Sequence, residues 1–157
     1  MDRISIGVQT TDPELLHLIN RDNTEPHIFP AIARLLAGGF NDVNVDMLYG
    51  LPDQTMASWI ASLDDLIDAG VPSISIYRTA FIPQTRKAFE TLGATPPPAA
   101  TGHAMYAMAF EHLNARGFKQ PRYGSSCFSR HPYAYGLNGH RRHVLDAKPM
   151  IGLGMGA

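Results

Sequence analysis

Cysteine is nearly absent from this 157-residue chain, in which Cys127 is the only one. A single cysteine excludes an intrachain disulfide and favours a reducing compartment, so we expect a cytoplasmic protein. No apolar run approaches the roughly 18 residues of a membrane span, and the first residues lack the long apolar stretch of a signal peptide. Basic residues are few and scattered and the net charge is −1, which argues against a nucleic-acid-binding surface.

Hydrophobic residues make up 45% of the chain, and they form short strands that alternate with amphipathic helices. Strands are predicted at residues 4–8, 43–48, 73–77, 117–123 and 150–154. Helices are predicted at about 13–19, 26–37, 55–69, 84–92 and 101–116. Residues 124–149 are expected to be irregular. This alternation predicts an α/β fold of parallel βα units.

The chain begins with a predicted strand and ends immediately after another, so we expect both termini to lie at unpaired edges of the sheet. Because an unpaired apolar edge promotes association, we expect the later part of a larger barrel that is either cut or paired with another segment. Residues 1–93 are predicted to form the partial (β/α) barrel. Residues 94–157 are predicted to hold the last helix, a strand and the beginning of an irregular C-terminal region.

The stretch Val43 to Gln54, V-N-V-D-M-L-Y-G-L-P-D-Q, carries the strongest functional signal. An acid, Asp46, lies inside a strand that we predict to be an apolar run, where a carboxylate needs a partner. A ligand or an internal hydrogen-bond network must account for it. Ligands of parallel α/β folds bind beyond the carboxyl ends of the strands, and Gln9, Asp46 and Tyr77 all fall near such ends.

Several blocks of sequence occur together in a recognisable order. They are R-I-S-I-G-V-Q (3–9), I-N-R (19–21), N-V-D-M-L-Y-G-L-P-D-Q-T (44–55), S-I-S-I-Y (73–77) and a late G-L-G-x-G-A (152–157). The ordered set resembles the radical S-adenosylmethionine family of oxygen-independent coproporphyrinogen III oxidases. Its relatives, the heme chaperones and the heme-degrading radical methyltransferases, share these blocks.

The resemblance implies a radical-SAM barrel and a set of cofactor-binding residues. Gln9 matches a glutamine that contacts S-adenosylmethionine, and Arg21 matches the arginine that grips its carboxylate. Asp46 matches an acid that holds the cofactor, and Ala80 matches a backbone contact to the adenine. Without the resemblance, Gln9 could simply cap a turn, Arg21 could complement a helix dipole, and Asp46 could be a structural acid satisfied by backbone N–H groups.

The substrate implied by the resemblance is a tetrapyrrole, whose propionates need cationic partners. Arg130, His140 and Arg141 are our candidates for this contact, although such residues are more often part of a solvated basic loop. The spacing of His131, His140 and His143 matches no standard zinc pattern, so no metal ligands are predicted.

The chain departs from the family in lacking the C-x-x-x-C-x-x-C run that holds a [4Fe–4S] cluster. We therefore expect a fragment whose missing N-terminal residues supply the cluster, or else a degenerate remnant, and expect this chain alone to be inactive. The implied reaction is oxidative decarboxylation of coproporphyrinogen III propionates in heme biosynthesis. A non-enzymatic heme-binding chaperone and a radical heme methyltransferase are the alternatives.

Overall fold

The structure is a computed structural model that describes residues 3–21, 25–40, 42–120 and 126–131. Its elements, in chain order, are β1 (Arg3–Gln9), α1 (Pro13–Leu18), α2 (Glu25–Ala37), β2 (Asp42–Tyr49), α3 (Met56–Asp68), β3 (Ser73–Arg78), α4 (Pro83–Thr91), α5 (Ala99–Ala115) and β4 (Cys127–Ser129). The first three predicted strands and all five predicted helices are confirmed, with small shifts at their ends. The strand predicted at 150–154 lies outside the described residues.

The four described strands form one sheet in the order β1-β2-β3-β4. β1, β2 and β3 are parallel, which confirms the predicted α/β class, whereas β4 pairs antiparallel with β3. The prediction that residues 124–149 are irregular was wrong at β4. Three residues are too few to show a periodicity, and their pairing with β3, Ser73 with Ser129 and Ser75 with Cys127, joins distant parts of the chain. In the described part of the strand predicted at 117–123, Lys119 forms an isolated antiparallel bridge with Ser129; residues 121–123 lie outside the described residues.

One face of the sheet is apolar and packs against the helices. Its buried side chains come from alternate strand positions: Val8, Val43, Val45, Met47, Tyr49, Ile74, Ile76 and Phe128. Helix residues of α1, α2, α3 and α5 complete the same core. Trp59 of α3 is fully buried there, as predicted, and its indole N–H donates to the Met105 carbonyl of α5 at 3.1 Å.

The opposite face of the sheet is polar, because the intervening positions of each strand carry polar side chains. They are Arg3 and Ser5 of β1, Asp42, Asn44 and Asp46 of β2, Ser73 and Ser75 of β3, and Cys127 and Ser129 of β4. The expectation that β2 is an apolar run was therefore wrong, since the strand alternates with a period of two. Asp46 belongs to a continuous polar row.

At the amino ends of the parallel strands, the polar side chains of this row hydrogen-bond to one another. Arg3 Nε donates to the buried carboxylate of Asp42 at 2.9 Å, and Ser73 Oγ donates to the same carboxylate at 2.6 Å. These contacts satisfy the buried acid, so this end of the sheet is structural. Among the described residues, no helix is long and apolar enough to cross a membrane.

Candidate functional site

Asp46 lies near the carboxyl end of β2 with a half-buried side chain. Its Oδ1 accepts the Asn44 amide at 2.7 Å and its Oδ2 accepts the Ser5 hydroxyl at 3.0 Å. Asn44 is itself fixed, because its Nδ2 donates to Ser5 at 2.8 Å and its Oδ1 accepts the Ser75 hydroxyl at 2.9 Å. The carboxylate is thus oriented by neighbouring side chains, while each oxygen keeps acceptor capacity for a ligand.

Gln9 ends β1 in the left-handed region, with φ at +74°. The β1–β2 pairing shifts register between Gly7 and Gln9, which bends the strand at its end. The Gln9 side chain folds back over Gly7, since a β carbon added at Gly7 would lie 2.7 Å from Gln9 Nε2. Gly7 pairs directly with Asp46. The Gln9 amide and the Asp46 carboxylate therefore occupy adjacent positions on the polar face.

Arg21 follows α1, and the helix end fixes its backbone. Asn20, with φ at +54°, donates its N–H to the His17 carbonyl, and Arg21 donates its N–H to the Leu16 carbonyl at 2.9 Å. This pair of bonds is a Schellman motif with Asn20 as the left-handed residue. The Arg21 side chain is exposed.

Ala80 lies two residues beyond β3, at the same carboxyl edge as Asp46. Thr79, the residue before Ala80, connects the end of β3 to β2. Its N–H and its hydroxyl both donate to the Tyr49 carbonyl, at 2.9 and 3.0 Å. Ala80 is exposed, and its carbonyl accepts the Thr85 hydroxyl at 3.4 Å. The backbone at Ala80 is thereby held next to the end of β2.

A group of three aromatic side chains lies next to this edge, on the face of the sheet that packs against the helices. The Tyr49 ring packs 5.8 Å from Trp59 and 6.2 Å from Tyr106, measured between ring centroids. Burial raises the pKa of the Tyr49 hydroxyl, and the Arg78 guanidinium partly offsets the rise. The group makes a rigid, apolar base for the strand ends that carry Asp46 and Ala80.

The structure does not bring Arg130 together with these residues. Arg130 follows β4, which runs antiparallel, so it lies at the amino edge of the parallel strands. Its N–H donates to the Pro72 carbonyl, and its guanidinium donates to the Arg116 carbonyl at 3.3 Å and lies 4.6 Å above the Phe118 ring. A guanidinium held in this way, at the far edge, is poorly placed for a ligand beside Asp46. His140 and Arg141 lie outside the described residues.

Sequence reasoning missed three residues that shape this edge: Ser5, Gly7 and Asn44. The signal that could have found them is the strand period of two. Ser5 and Gly7 alternate with the apolar residues of β1, and Asn44 is two residues before Asp46 on β2. Reading the alternation would have placed these residues on one polar face.

The chain resembles known proteins along its whole length. Residues 1–66 match the Radical SAM superfamily. A heme chaperone HemW from Synechocystis sp. is 32% identical over all of this chain and 37% of its own length. An oxygen-independent coproporphyrinogen III oxidase from Thermostichus vulcanus is 29% identical over 75% of this chain and 37% of its own length.

A solved structure shares the fold. The radical SAM enzyme coproporphyrinogen III oxidase from Escherichia coli superposes with a TM-score of 0.73 at 23% identity, over 92% of this chain and 32% of that one. The chain thus spans about two fifths or less of the relatives it matches.

The two cofactors of such enzymes fit this chain differently. The carboxylate of Asp46, the amide of Gln9 and the guanidinium of Arg21 are each chemically suited to hydrogen-bond with the hydroxyl, amino or carboxylate groups of S-adenosylmethionine. A [4Fe–4S] cluster needs several thiolates, whereas this chain has one cysteine, which is buried beside Asn44. This chain therefore does not fit the cluster.

Proposed function

Because this chain belongs to the radical SAM superfamily, we propose that the carboxyl edge of its sheet binds S-adenosylmethionine in a protein that acts on a tetrapyrrole. One observation carries the proposal. The half-buried carboxylate of Asp46, oriented by Ser5 and Asn44, lies beside the Gln9 amide that folds over Gly7. Ligands of parallel α/β folds bind at this kind of edge.

Each of the four candidate residues has a separate task in this proposal. Asp46 accepts hydrogen bonds from the ribose hydroxyls or the α-amino group, and Gln9 donates and accepts at the same ligand. Arg21 pairs with the cofactor carboxylate through its planar guanidinium. The backbone at Ala80 meets the adenine edge. When bound, S-adenosylmethionine supplies the radical chemistry for which the superfamily is named.

For the intact protein we propose oxidative decarboxylation of coproporphyrinogen III propionates to vinyl groups, in heme biosynthesis. The support is similarity, since both the Thermostichus relative and the Escherichia coli structure are named coproporphyrinogen III oxidase. In this proposal the cluster ligands come from residues outside the chain, because the chain has a single cysteine. The residues described above bind and orient the cofactor.

A second candidate function, heme binding without turnover, has its own support. The Synechocystis heme chaperone matches all of this chain at 32% identity, whereas the Thermostichus oxidase matches 75% of it at 29%. The two functions share a fold and differ in what happens to the tetrapyrrole. They can be separated by titrating the intact protein with heme and by assaying coproporphyrinogen decarboxylation in parallel. Tight stoichiometric heme binding without decarboxylation would favour the chaperone over the oxidase.

The cofactor site itself is tested by Asp46→Asn, which keeps the size of the side chain and removes its charge. A hydrogen bond to a charged group contributes about 1.5–3 kcal/mol, so the dissociation constant for S-adenosylmethionine should rise on the order of tenfold or more. Asp68→Asn is the matched control, because Asp68 is exposed at the end of α3. Isothermal titration calorimetry of the intact protein measures both. Equal dissociation constants for the two variants would contradict the proposed site.

A further inference from the structure

Two residues of α3, Ser62 and Asp65, hold the threonines that follow Gln9. Thr11 Oγ1 donates to Asp65 Oδ2 at 2.5 Å and lies 3.1 Å from Ser62 Oγ. The Thr11 N–H donates to Ser62 Oγ at 3.4 Å, and the hydroxyls of Thr10 and Ser62 share a hydrogen bond at 3.3 Å. Thr10 and Ser62 are fully buried. A distant helix therefore fixes the turn that leaves β1.

The same network continues into α1. Thr10 Oγ1 accepts the Asp12 N–H at 3.2 Å, and Asp12 Oδ1 caps the helix by accepting the N–H groups of Glu14 and Leu15 at 2.9 and 3.2 Å. The helix then ends in the Schellman motif that fixes the backbone of Arg21. Gln9 and Arg21 are thus the two ends of one short segment, residues 9–21, which hydrogen bonds anchor to α3.

The anchored segment begins at Gln9, whose backbone conformation is unusual. A left-handed conformation is unfavourable for a residue other than glycine, and it persists only where the surrounding structure imposes it. Gln9 has φ at +74°. Thr10 and Thr11 follow Gln9 directly in the chain, and they are held by Ser62 and Asp65.

We propose that Ser62 and Asp65 are positioning residues for the cofactor. They act through Thr10 and Thr11, which keep Gln9 left-handed and α1 in place, and so align both Gln9 and Arg21 with the ligand. This inference rests on the S-adenosylmethionine site proposed above. It assigns to α3 a role in cofactor affinity in addition to its packing role.

The test uses Asp65, whose exposed side chain can be truncated with little risk to folding. In the intact protein, Asp65→Ala should raise the dissociation constant for S-adenosylmethionine about tenfold, because a smaller fraction of molecules would hold segment 9–21 in its binding conformation. Asp65→Asn keeps an acceptor oxygen for Thr11 and should restore most of the affinity. Asp68→Ala removes the same charge from the same helix and should change the dissociation constant by less than about twofold.

The outcomes separate this inference from the proposed function. If the wild-type protein binds the cofactor and Asp65→Ala binds it as tightly as Asp68→Ala, the positioning role is wrong. If the wild-type protein does not bind S-adenosylmethionine, the proposed cofactor site is wrong. Hydrogen exchange then tests separately whether Asp65 anchors residues 9–21. Asp65→Ala should then speed amide exchange in residues 9–21 and leave β2 unchanged, whereas unchanged exchange in residues 9–21 would overturn the anchor as well.

Discussion

Gly7→Ala should weaken cofactor binding without weakening the fold. A β carbon at this position would lie 2.7 Å from Gln9 Nε2 and 3.8 Å from Gln9 Cδ; apart from the two chain neighbours of Gly7, no other described residue has a heavy atom within 4 Å of it. Because such atoms pack at about 3.5–4.0 Å, the amide of Gln9 must move by about 1 Å. The perturbation is therefore confined to one flexible side-chain tip that we assign to the cofactor site.

The expected effects on stability and on binding have opposite signs. Gly7 does not lie in the left-handed region, so alanine fits the backbone and should stabilise the protein by about 0.4–1 kcal/mol through the unfolded state. The displaced Gln9 amide should lose a hydrogen bond to the cofactor, which contributes about 0.5–1.5 kcal/mol if the partner is neutral and more if it is charged. The dissociation constant should rise about three- to tenfold.

The assay is calorimetric titration with S-adenosylmethionine together with urea unfolding, for the wild type, Gly7→Ala, Gln9→Ala and the double variant. Once Gln9 is truncated, the added β carbon has no amide to displace, so Gly7→Ala should have no further effect on affinity. Unchanged affinity in Gly7→Ala would refute the reasoning. So would a loss of affinity that persists in the Gln9→Ala background.

Three further predictions concern the scaffold. Trp59→Phe removes the 3.1 Å bond to the Met105 carbonyl and leaves a void, so it should lower the free energy of unfolding by about 1–3 kcal/mol; unchanged urea midpoints would contradict this. Thr55→Ala removes the cap on the Ser58 N–H and should cost about 1 kcal/mol in the same assay, whereas Ser should restore it. Burial raises the pKa of the Tyr49 hydroxyl above its ordinary value of 10.0, so the stability that the neutral hydroxyl contributes is complete below pH 10 and is lost as pH rises further. Tyr49→Phe should reduce the fall in the free energy of unfolding above that pH, and an unchanged pH profile would contradict this.

The elements built from local patterns could be predicted from the sequence. The apolar spacing of α3 and the caps around it located that helix, and the strands at 4–8 and 73–77 appeared at their true positions. β4 could not be predicted in this way, because a three-residue strand is defined by its pairing with β3.

The structure corrects the reason for which the sequence pointed to Asp46. Asp46 attracted attention as a carboxylate in an apolar strand, yet Asn44 and Asp42 share its face. Its neighbours Ser5 and Gly7 lie about 40 residues earlier in the chain, and only the parallel register brings them together. Arg130 was chosen for its charge, but the direction of β4 carries it to the opposite edge.

Some predictions stay untested by the described residues. They are the cytoplasmic location, the division of the chain at residue 93 and the substrate contacts of Arg130, His140 and Arg141. The cofactor roles of Gln9, Arg21, Asp46 and Ala80 also stay predictions until binding is measured.

The most direct test of the cofactor site is a map of where S-adenosylmethionine binds. In ¹⁵N-resolved NMR of the intact protein, addition of the cofactor should shift the backbone amides of Gly7, Gln9, Asp46 and Ala80 at the carboxyl edge. The amides of Ser129 and Arg130, at the opposite edge, should stay unshifted. Shifts centred on Ser129 and Arg130, or no shifts at saturating cofactor, would contradict the account.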